Sequence, residues 1–486
     1  MKKFLTFFVI FCIIITTLCG CGEDYKNATV YYELASFPTT LDPSVVNDST
    51  AAMISSNIYE GLMRHDYDLN VVCGAAEKYT VSGNTYTFTL RDNLKWSNGD
   101  PLTAKDFVFG LQRSVNPKTN SPLAQKLSCI KNASEIINGK LPVQNLAVTA
   151  PDDKTVVIEA VNSAQLLGAL TSLAAMPCNE EFFNKSAGEY GMTSSTVLSN
   201  GSYRIRLWDF ENGKIRITKN PHYNGNFVSN NTSIILTKDE ELSPIQRLEN
   251  ENVDMAQIDS LSIPKAKALG LNCLTFENTL WLLTINDSKF SKDLRTAFVM
   301  AFNRNKYSES LVDGYRVTSD IFPAVVKGKD TVLCPLTFSS ISPQAAFKNA
   351  TGGKALDKIS IVYYDDPIIK KALVDIAGNW QQLFGVTINL VPSSNLVDLQ
   401  NQLKSKTYDM CIFPVTANDS SVSGYLKQFS VTENDLQKAQ NYILGDFSVI
   451  PVAVQDTCYA MTSDITKANI SLRNEIIDFS FVIKKD

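Results

Sequence analysis

Residues 359–391 constrain the fold of this chain most, because they pass from the periodicity of a strand to that of a helix and back. Asp366-Pro367 begins the helix, Gly385 ends it, and residues 386–391 form a second apolar strand. The alternating strand positions are Ile359, Ile361 and Tyr363, and the helical stripe is Ile369, Leu373, Ile376, Trp380 and Leu383. Strands joined in this way are parallel in nearly all cases, so the sequence predicts an α/β domain here.

A second local unit occupies residues 86–115. Asn98-Gly99-Asp100-Pro101 supplies a turn after a strand of alternating polarity. Thr103 and Asp106 have the spacing of a capping box, and Asn116-Pro117 stops the helix because proline disfavours the α conformation in the preceding residue. The apolar positions are Tyr86, Phe88 and Leu90 on the strand, then Phe107, Leu111 and Val115 on the helix. The pattern predicts a strand, a tight turn and an amphipathic helix that form one piece.

The length of the chain predicts more than one domain. Its 486 residues exceed the roughly 250 to 300 beyond which single cores split, so two or three domains are expected. The net charge of −5 is small and the charges alternate in sign along the chain. This distribution argues against a nucleic-acid partner, which would require a basic stripe.

The N-terminus predicts export from the cytoplasm. Two lysines precede an uncharged run from Phe4 to Leu18 that is shorter than the ~20 residues needed to span a bilayer. The run ends in Leu18-Cys19-Gly20-Cys21, which resembles the lipobox of bacterial lipoproteins, whose final cysteine is diacylated. We therefore expect residues 1–21 to be a lipoprotein signal with Cys21 as the lipidation site. The alternative is an ordinary signal peptide with an incidental cysteine.

The other cysteines do not predict a disulfide framework. Of the ten cysteines, Cys12 and Cys19 leave with the signal, and those beyond Cys21 are odd in number and widely spaced. Several lie in apolar runs, where a free cysteine acts as a small hydrophobic residue. We expect the following to be mostly free and buried: Cys73, Cys129, Cys178, Cys273, Cys334, Cys411 and Cys458.

Several motifs resemble those of one protein family. The run from Lys95 to Phe107, the turn Leu41-Asp42-Pro43 and the segment Ile58-Tyr59-Glu60-Gly61-Leu62 resemble the peptide/nickel family of bacterial ABC-importer solute-binding proteins. Within that family the chain is most similar to the oligopeptide-binding proteins. The resemblance runs from about Val30 to the C-terminus. The chain departs from the family between Leu426 and Glu433, where it lacks the usual longer helical excursion.

The resemblance implies an α/β fold of two hinged lobes, with mixed sheets flanked by helices and an extra domain attached to the first lobe. By analogy with the family, lobe I is discontinuous and comprises residues 22–57, 185–276 and 456–486. Domain II, attached to it, covers residues 58–184, and lobe II (domain III) covers residues 277–455. The hinge would then be two strands that cross near residues 276 and 455.

The resemblance also implies partners and a location. The chain would bind a peptide or peptide-like ligand between its lobes and deliver it to an ABC permease with its ATPase subunits. It would act as a monomer, lipid-anchored on the extracytoplasmic face of the cell membrane. No cofactor is expected.

Residues that would support an enzymatic function are missing from the sequence. His65 and His222 stand beside turn-like segments without a second histidine or cysteine at metal-ligand spacing. No G-x-S-x-G, Walker-type or G-x-G-x-x-G motif occurs. Asp365-Asp366 is better explained by a helix N-cap at Asp366 than by a catalytic carboxylate pair. We therefore predict a binding protein with neither catalytic residues nor a metal site.

The resemblance also places candidate ligand-binding residues. Relatives use an aspartate in a Trp-x-x-Asp-Tyr setting to hold the peptide amine, and alignment of Tyr408-Asp409 and Tyr425-Leu426 puts Asn418 at that position, with Asp419 beside it. Val415 takes the tryptophan's place and Ile412 that of an arginine. The aromatic candidates for the cleft are Trp281, Phe413 and Tyr425, and a core role is an equal alternative for each.

Three alternatives remain open on the sequence alone. A relative that binds a non-peptide solute has the same fold and is distinguished by its bound ligand. A peptide sensor that does not transport lacks a permease partner. A lipoprotein hydrolase requires a catalytic constellation that the sequence does not show.

The lipobox-like site predicts that Cys21→Ser releases the protein from the membrane, because no spanning segment would then hold it. Fractionation of cells into membrane and soluble extracytoplasmic material measures this change. Cys12→Ser, inside the signal, is the matched control and should remain with the membrane. Equal membrane retention of both variants would contradict lipidation at Cys21.

Overall fold

The chain is a mixed α/β protein in the computed structural model, which describes residues 28–68, 70–328, 331–333, 341–356, 358–417, 422–426, 429, 431, 435–468, 470–471 and 476–485. The strands are β1 (Thr29–Glu33), β2 (Met63–His65), β3 (Val71–Cys73), β4 (Ala76–Ser82), β5 (Thr85–Leu90), β6 (Val148–Asp152), β7 (Thr155–Glu159), β8 (Tyr203–Asp209), β9 (Lys214–Lys219), β10 (Ser233–Thr237), β11 (Met255–Ile258), β12 (Asn272–Ile285), β13 (Tyr315–Val317), β14 (Ile359–Tyr364), β15 (Ile388–Ser393), β16 (Met410–Thr416), β17 (Val449–Met461), β18 (Ile465–Lys467), β19 (Ile470–Ser471), β20 (Ile476–Ile477) and β21 (Ile483–Lys484).

The α-helices are α1 (Ser49–Ile58), α2 (Ala104–Val115), α3 (Ala133–Ile137), α4 (Ser163–Ala169), α5 (Glu180–Lys185), α6 (Pro244–Glu249), α7 (Ile263–Ala268), α8 (Lys292–Met300), α9 (Arg304–Tyr307), α10 (Ala324–Lys327), α11 (Pro343–Thr351), α12 (Pro367–Phe384), α13 (Leu396–Ser405), α14 (Val422–Leu426) and α15 (Leu436–Leu444). None of the described helices combines the length and apolar composition required to cross a bilayer.

The largest sheet has the strand order β15-β14-β16-β12-β17-β11-β1-β10-β9-β8, and β13 also pairs with β17. It is mixed, because β14 runs parallel to β15 and β16, β1 runs parallel to β10 and β11, and the other pairs are antiparallel. The parallel pair β14–β15, joined by α12, confirms the predicted β-α-β unit. Asp366 caps α12 by accepting hydrogen bonds from the backbone of Ile368 and Ile369 at 2.9 and 2.8 Å.

Two large hydrophobic cores lie along this sheet. The N-terminal core includes Val30, Phe88, Trp96, Tyr203 and Phe479. The central core includes Trp281, Phe298, Ile361, Leu373 and Trp380. A third cluster, on the sheet face opposite Trp281, contains Leu280, Leu282, Val415, Tyr425 and Val454. The separation into cores agrees with the expectation from length, since one core rarely serves a chain of this size.

A four-stranded antiparallel sheet, β4-β5-β7-β6, carries the second predicted unit. β5 alternates between buried and partly exposed residues, as the sequence pattern predicts. The helix α2 begins with a capping box formed by Thr103 and Asp106 and ends at Asn116, which precedes Pro117. Trp96, in the connecting turn, is fully buried in the N-terminal core. The predicted strand, turn and capped helix are therefore confirmed.

A buried ion pair fixes the turn Leu41-Asp42-Pro43 against α2. Arg113 Nη1 donates to Asp42 Oδ1 at 2.9 Å and Arg113 Nη2 donates to Asp42 Oδ2, which makes the pair bidentate. Both side chains are more than nine-tenths buried. Gly191 packs so closely that a Cβ atom there would lie 2.4 Å from the backbone nitrogen of Asp42. The turn is therefore held by the ion pair with Arg113 on one side and by close packing against the backbone at Gly191 on the other.

Arg113→Met is expected to lower the free energy of unfolding by about 3 to 5 kcal/mol, because it leaves the Asp42 carboxylate buried without its partner. Chemical denaturation of the mature chain measures this change. The double variant Asp42→Asn/Arg113→Met should recover part of the loss. Lys185→Met, which removes one half of an exposed ion pair with Glu181, is the control and should leave the transition unchanged. Equal effects of the two single substitutions would contradict the assigned role.

Candidate functional site

Strands β12 and β17 connect the N-terminal and central cores. They pair antiparallel from Asn272 opposite Met461 to Thr284 opposite Val449, with register irregularities between Glu277 and Thr279 and between Trp281 and Leu282. One end of the pair places Tyr459 and Met461 in the N-terminal core, and the other end places Trp281, Leu283 and Ile450 in the central core. The two strands therefore connect the halves of the molecule.

A cluster of charged side chains lies midway along this strand pair, where β12 and β17 pass from the N-terminal core to the central core. We call this place the crossing point. Glu277 and Asp456 stand directly opposite each other in the ladder. Arg316 bridges them from β13: its Nη1 and Nη2 each donate to Asp456 at 2.7 Å, and Nη2 donates to Glu277 Oε2 at 2.8 Å. The hydrogen bonds to Asp456 raise the pKa of Arg316 above its usual value, although burial opposes this. Like charges opposite each other destabilise a sheet, so Arg316 compensates a built-in repulsion.

Glu277 has a second partner at the same place. Its Oε1 accepts a hydrogen bond at 2.8 Å from the backbone nitrogen of Ala324, the first residue of α10. The carboxylate thereby satisfies a backbone donor that a helix leaves unpaired at its start. One side chain joins β12, β13 and α10.

A cavity of about 770 Å³ lies beside the clamped turn. This volume falls within the range of roughly 300 to 1,000 Å³ that small-molecule sites occupy. The side chains that line it are Val45, Lys105, Val108, Phe109, Gln112, Arg113, Asn116, Lys118, Thr119, Val143, Gln144, Ala150, Glu180, Phe183 and Asn184. Every lining residue precedes residue 185, so the cavity belongs to α2, α5 and the segments packed against them.

The cavity combines aromatic surface with hydrogen-bonding groups. The rings of Phe109 and Phe183 lie 5.8 Å apart, and the Arg113 guanidinium carbon lies 4.3 Å from the centre of the Phe183 ring. Amide side chains are prominent in the lining: Gln112, Asn116, Gln144 and Asn184. The buried Nε of Arg113 has no hydrogen-bond partner among the described residues. Amides both donate and accept, so the lining suits the alternating donors and acceptors of a peptide backbone.

The thiol of Cys178, beside the cavity-lining Arg113, is not an activated nucleophile. Cys178 lies 3.9 Å from Arg113 Nη1, but burial raises the pKa of its thiol to about 12, which keeps the thiol protonated. His65 Nε2 is 3.1 Å from Thr171 Oγ1 and is only partly exposed. Within the described ranges, no group of three or more histidine, cysteine, aspartate or glutamate side chains could hold a metal ion.

The sequence-predicted site residues lie in different environments. Trp281 is 2% exposed, and its Nε1 donates to Gln455 Oε1 at 2.9 Å. Tyr425 is fully buried, and its hydroxyl donates to the backbone oxygen of Ile321 at 2.8 Å. Phe413 is partly exposed and packs against the third cluster, of which Tyr425 is a member. The structure thus brings Phe413 and Tyr425 together, while Trp281 contacts the central core on the opposite face of the sheet.

Three other predicted positions, Asn418, Asp419 and Cys21, lie outside the described residues. Conversely, the sequence interpretation missed the cavity. Phe109 could have indicated the cavity from the sequence, since it lies off the buried stripe of α2 that contains Phe107 and Leu111. An aromatic side chain on the expected solvent face of a helix indicates a contact beyond the core.

Arg316→Gln is expected to weaken the pairing of β12 with β17 at the crossing point. Without the arginine, the carboxylates of Glu277 and Asp456 repel each other and no positive charge offsets the repulsion. Backbone amides in residues 276–279 and 454–457 should exchange with solvent about 2- to 5-fold faster, the equivalent of ~0.5 to 1 kcal/mol. Hydrogen exchange followed by mass spectrometry measures the rates.

Adding Asp456→Asn to Arg316→Gln should restore slow exchange, and high salt should do so partly by screening. Lys289→Gln, which breaks the exposed ion pair with Asp409, is the matched control. If the double variant exchanges as fast as Arg316→Gln, like-charge repulsion is not the cause.

Comparison with known proteins identifies the family. A sequence model described as bacterial extracellular solute-binding proteins, family 5 (middle part) matches residues 70–437. The oligopeptide-binding protein OppA of Bacillus subtilis is 26% identical over 424 residues, which cover 80% of this chain and 77% of the relative. The dipeptide-binding protein of Lactococcus lactis is 32% identical over 216 residues, 43% of this chain and 39% of the relative.

A solved structure confirms the two-lobed fold. The murein tripeptide binding protein MppA of Escherichia coli superposes with a TM-score of 0.73 at 20% sequence identity, covering 95% of this chain and 99% of that protein. At this identity the similarity establishes the fold alone, whereas the family assignment rests on the sequence match to more than half of the chain. The chain therefore belongs to the bacterial extracellular solute-binding proteins of family 5.

Proposed function

We propose that this chain is the substrate-binding lipoprotein of an ABC importer, which captures a peptide between two lobes and delivers it to the permease. The observation that carries the proposal is the pair of cores joined by β12 and β17, with a ligand-sized cavity beside the turn Leu41-Asp42-Pro43. Relatives over most of the chain's length are named as oligopeptide-binding proteins. The relatives named above are described as peptide-binding proteins, which supports a binding role here.

The proposed domain division follows the family. Lobe I comprises residues 22–57, 185–276 and 456–486, domain II covers residues 58–184, and lobe II covers residues 277–455. The crossing of β12 and β17 near Glu277 and Asp456 supports a hinge at these boundaries. Closure of the lobes would shift an open–closed equilibrium in favour of the liganded form, and the permease would distinguish the two forms.

We propose that the cavity, whose lining belongs to domain II apart from Val45, contributes surface to one side of the binding cleft. Its amide side chains can bond the backbone of an extended peptide, and Phe109 and Phe183 offer apolar surface to a ligand side chain. Arg113 Nε is a buried donor that has no partner among the described residues, so a ligand oxygen that reached it would satisfy it. Because Arg113 is held by Asp42, this donor is already oriented before the ligand arrives.

Lobe II would supply the opposite wall. Phe413 is the aromatic candidate with exposed surface, so we assign it direct contact with the ligand. Trp281 and Tyr425 make hydrogen bonds inside the protein and would support the strands that face the cleft. Asn418 would occupy the position at which relatives place an aspartate for the peptide amine, with Asp419 as its neighbour.

Native mass spectrometry of the mature chain, purified without denaturant, tests the proposal directly. A bound mass that fragments into amino-acid residues supports peptide capture. A bound mass of another chemical class would contradict the peptide assignment and leave the binding fold intact.

Free-amine peptides are expected to bind weakly, because the Asn418 amide lacks the charge that strengthens a hydrogen bond to an ammonium group. Asn418→Asp should improve the affinity for an unmodified peptide by roughly tenfold without improving that for its N-acetylated form. Calorimetry with both peptides measures the difference.

Asp419→Asn is the control for the same experiment. If the wild-type chain already prefers the free amine tenfold and Asp419→Asn removes that preference, Asp419 is the anchor, which adjacent strand positions permit only through a bulge. If acetylation changes nothing in any variant, amine recognition at this site is excluded.

A further inference from the structure

Cys273 and Cys458 form a thiol pair on neighbouring strands. In the β12–β17 ladder Cys273 stands opposite Ala460 and Cys458 stands opposite Thr275, so the two cysteines are diagonal neighbours. Their side chains project from the same face of the sheet, since their positions differ by two residues along each strand. Both pack in one cluster with Ile258 and Ala266.

The two thiols differ in access. Cys273 is partly exposed, whereas Cys458 is fully buried. Burial and the nearby Cys273 raise the pKa of the Cys458 thiol above its usual value, while the Lys267 ammonium opposes this shift. Lys267, on α7, is paired with Asp313 at 2.9 Å, and this pair, with smaller contributions from Cys273 and Cys458, raises the pKa of its ammonium group.

We propose that Cys273 and Cys458 are a redox-active pair that a small disulfide, such as oxidised glutathione, converts into a reversible cross-link between β12 and β17. The Cys273 thiolate attacks one sulfur of the oxidant and displaces a thiolate, which gives a mixed disulfide. The Cys458 thiolate then attacks Cys273 Sγ and displaces the second thiol. The protein loses two hydrogen atoms with two electrons, and the oxidant becomes two thiols.

The diagonal placement predicts that the cross-link is easily reduced. Diagonal neighbours have Cα atoms roughly 7 to 8 Å apart, whereas disulfides usually span about 4.4 to 6.8 Å. The strands must therefore move slightly toward each other when the bond forms. Disulfides that are strained in this way are the labile ones. Extracytoplasmic proteins meet conditions in which such bonds form.

The cross-link would form close to the crossing point of β12 and β17. Cys458 lies two residues beyond Asp456, and Cys273 lies four residues before Glu277, the two carboxylates bridged by Arg316. A covalent bond here would hold β12 to β17 on the side of the N-terminal core. The strands could then separate only beyond the bond, toward the central core.

Peptide mapping of the mature chain tests this inference independently of any ligand. The reduced protein is equilibrated in buffers of oxidised and reduced glutathione of graded ratio, quenched with acid, alkylated and digested. We expect a cross-linked peptide that contains Cys273 and Cys458, the loss of two free thiols, and complete reversal in excess reduced glutathione. The amides of residues 272–277 and 456–461 should exchange more slowly in the oxidised form.

Variants separate the two steps of the exchange. Cys458→Ser should stop at a glutathione adduct on Cys273, and Cys273→Ser should give no product at either position. Cys73→Ser, at a partly exposed cysteine elsewhere, is the control and should cross-link like the wild type. A wild-type chain that yields only a glutathione adduct on Cys273, another cysteine pairing, or no disulfide at any buffer ratio would overturn the proposal.

Discussion

The main-chain ladder between β12 and β17 is the constraint on which the rest of the structure depends. These strands are long enough to contribute side chains to both large cores, so the two halves of the molecule share one sheet. A strand pair can twist, but slipping by one residue would exchange its two faces. Trp281 and Leu282 belong to clusters on opposite faces, so a slip would disrupt both. Any rotation of one half of the molecule against the other must therefore preserve this register.

Two arginine–carboxylate clusters stabilise the positions of neighbouring segments in this structure. At the crossing, Arg316 holds together two carboxylates that would otherwise repel, and Glu277 also fixes the start of α10. Beside the cavity, Asp42 and Arg113 hold the turn whose Leu41 is buried in the N-terminal core. In both places a bidentate arginine sets the geometry, as expected where the planar guanidinium matches a carboxylate.

Local units were predictable from the sequence, whereas long-range pairings were not. The strand, turn and helix around Trp96 and the β-α-β unit ending at Gly385 have periodicity, caps and breakers within short stretches, and the structure confirms them. The pairing of Cys273 with residues near Cys458 joins distant parts of the chain, which periodicity cannot reveal. The cavity was missed for the same reason. The faces taken by Trp281 and Phe413 depend on the register of β12 with β16, which only the structure provides.

In the proposed function, Arg113 would contribute both to the stability of the fold and to ligand binding. The same guanidinium holds the turn through Asp42, and its buried Nε has no hydrogen-bond partner among the described residues. A ligand that accepts a hydrogen bond from Nε would relieve the cost of a buried, unsatisfied donor and would bind only the folded chain. Occupancy would then be visible as a higher melting temperature that rises with ligand concentration. Thermal melting of the intact chain against a panel of solutes is therefore a practical way to find its ligand without prior assumptions about chemical class.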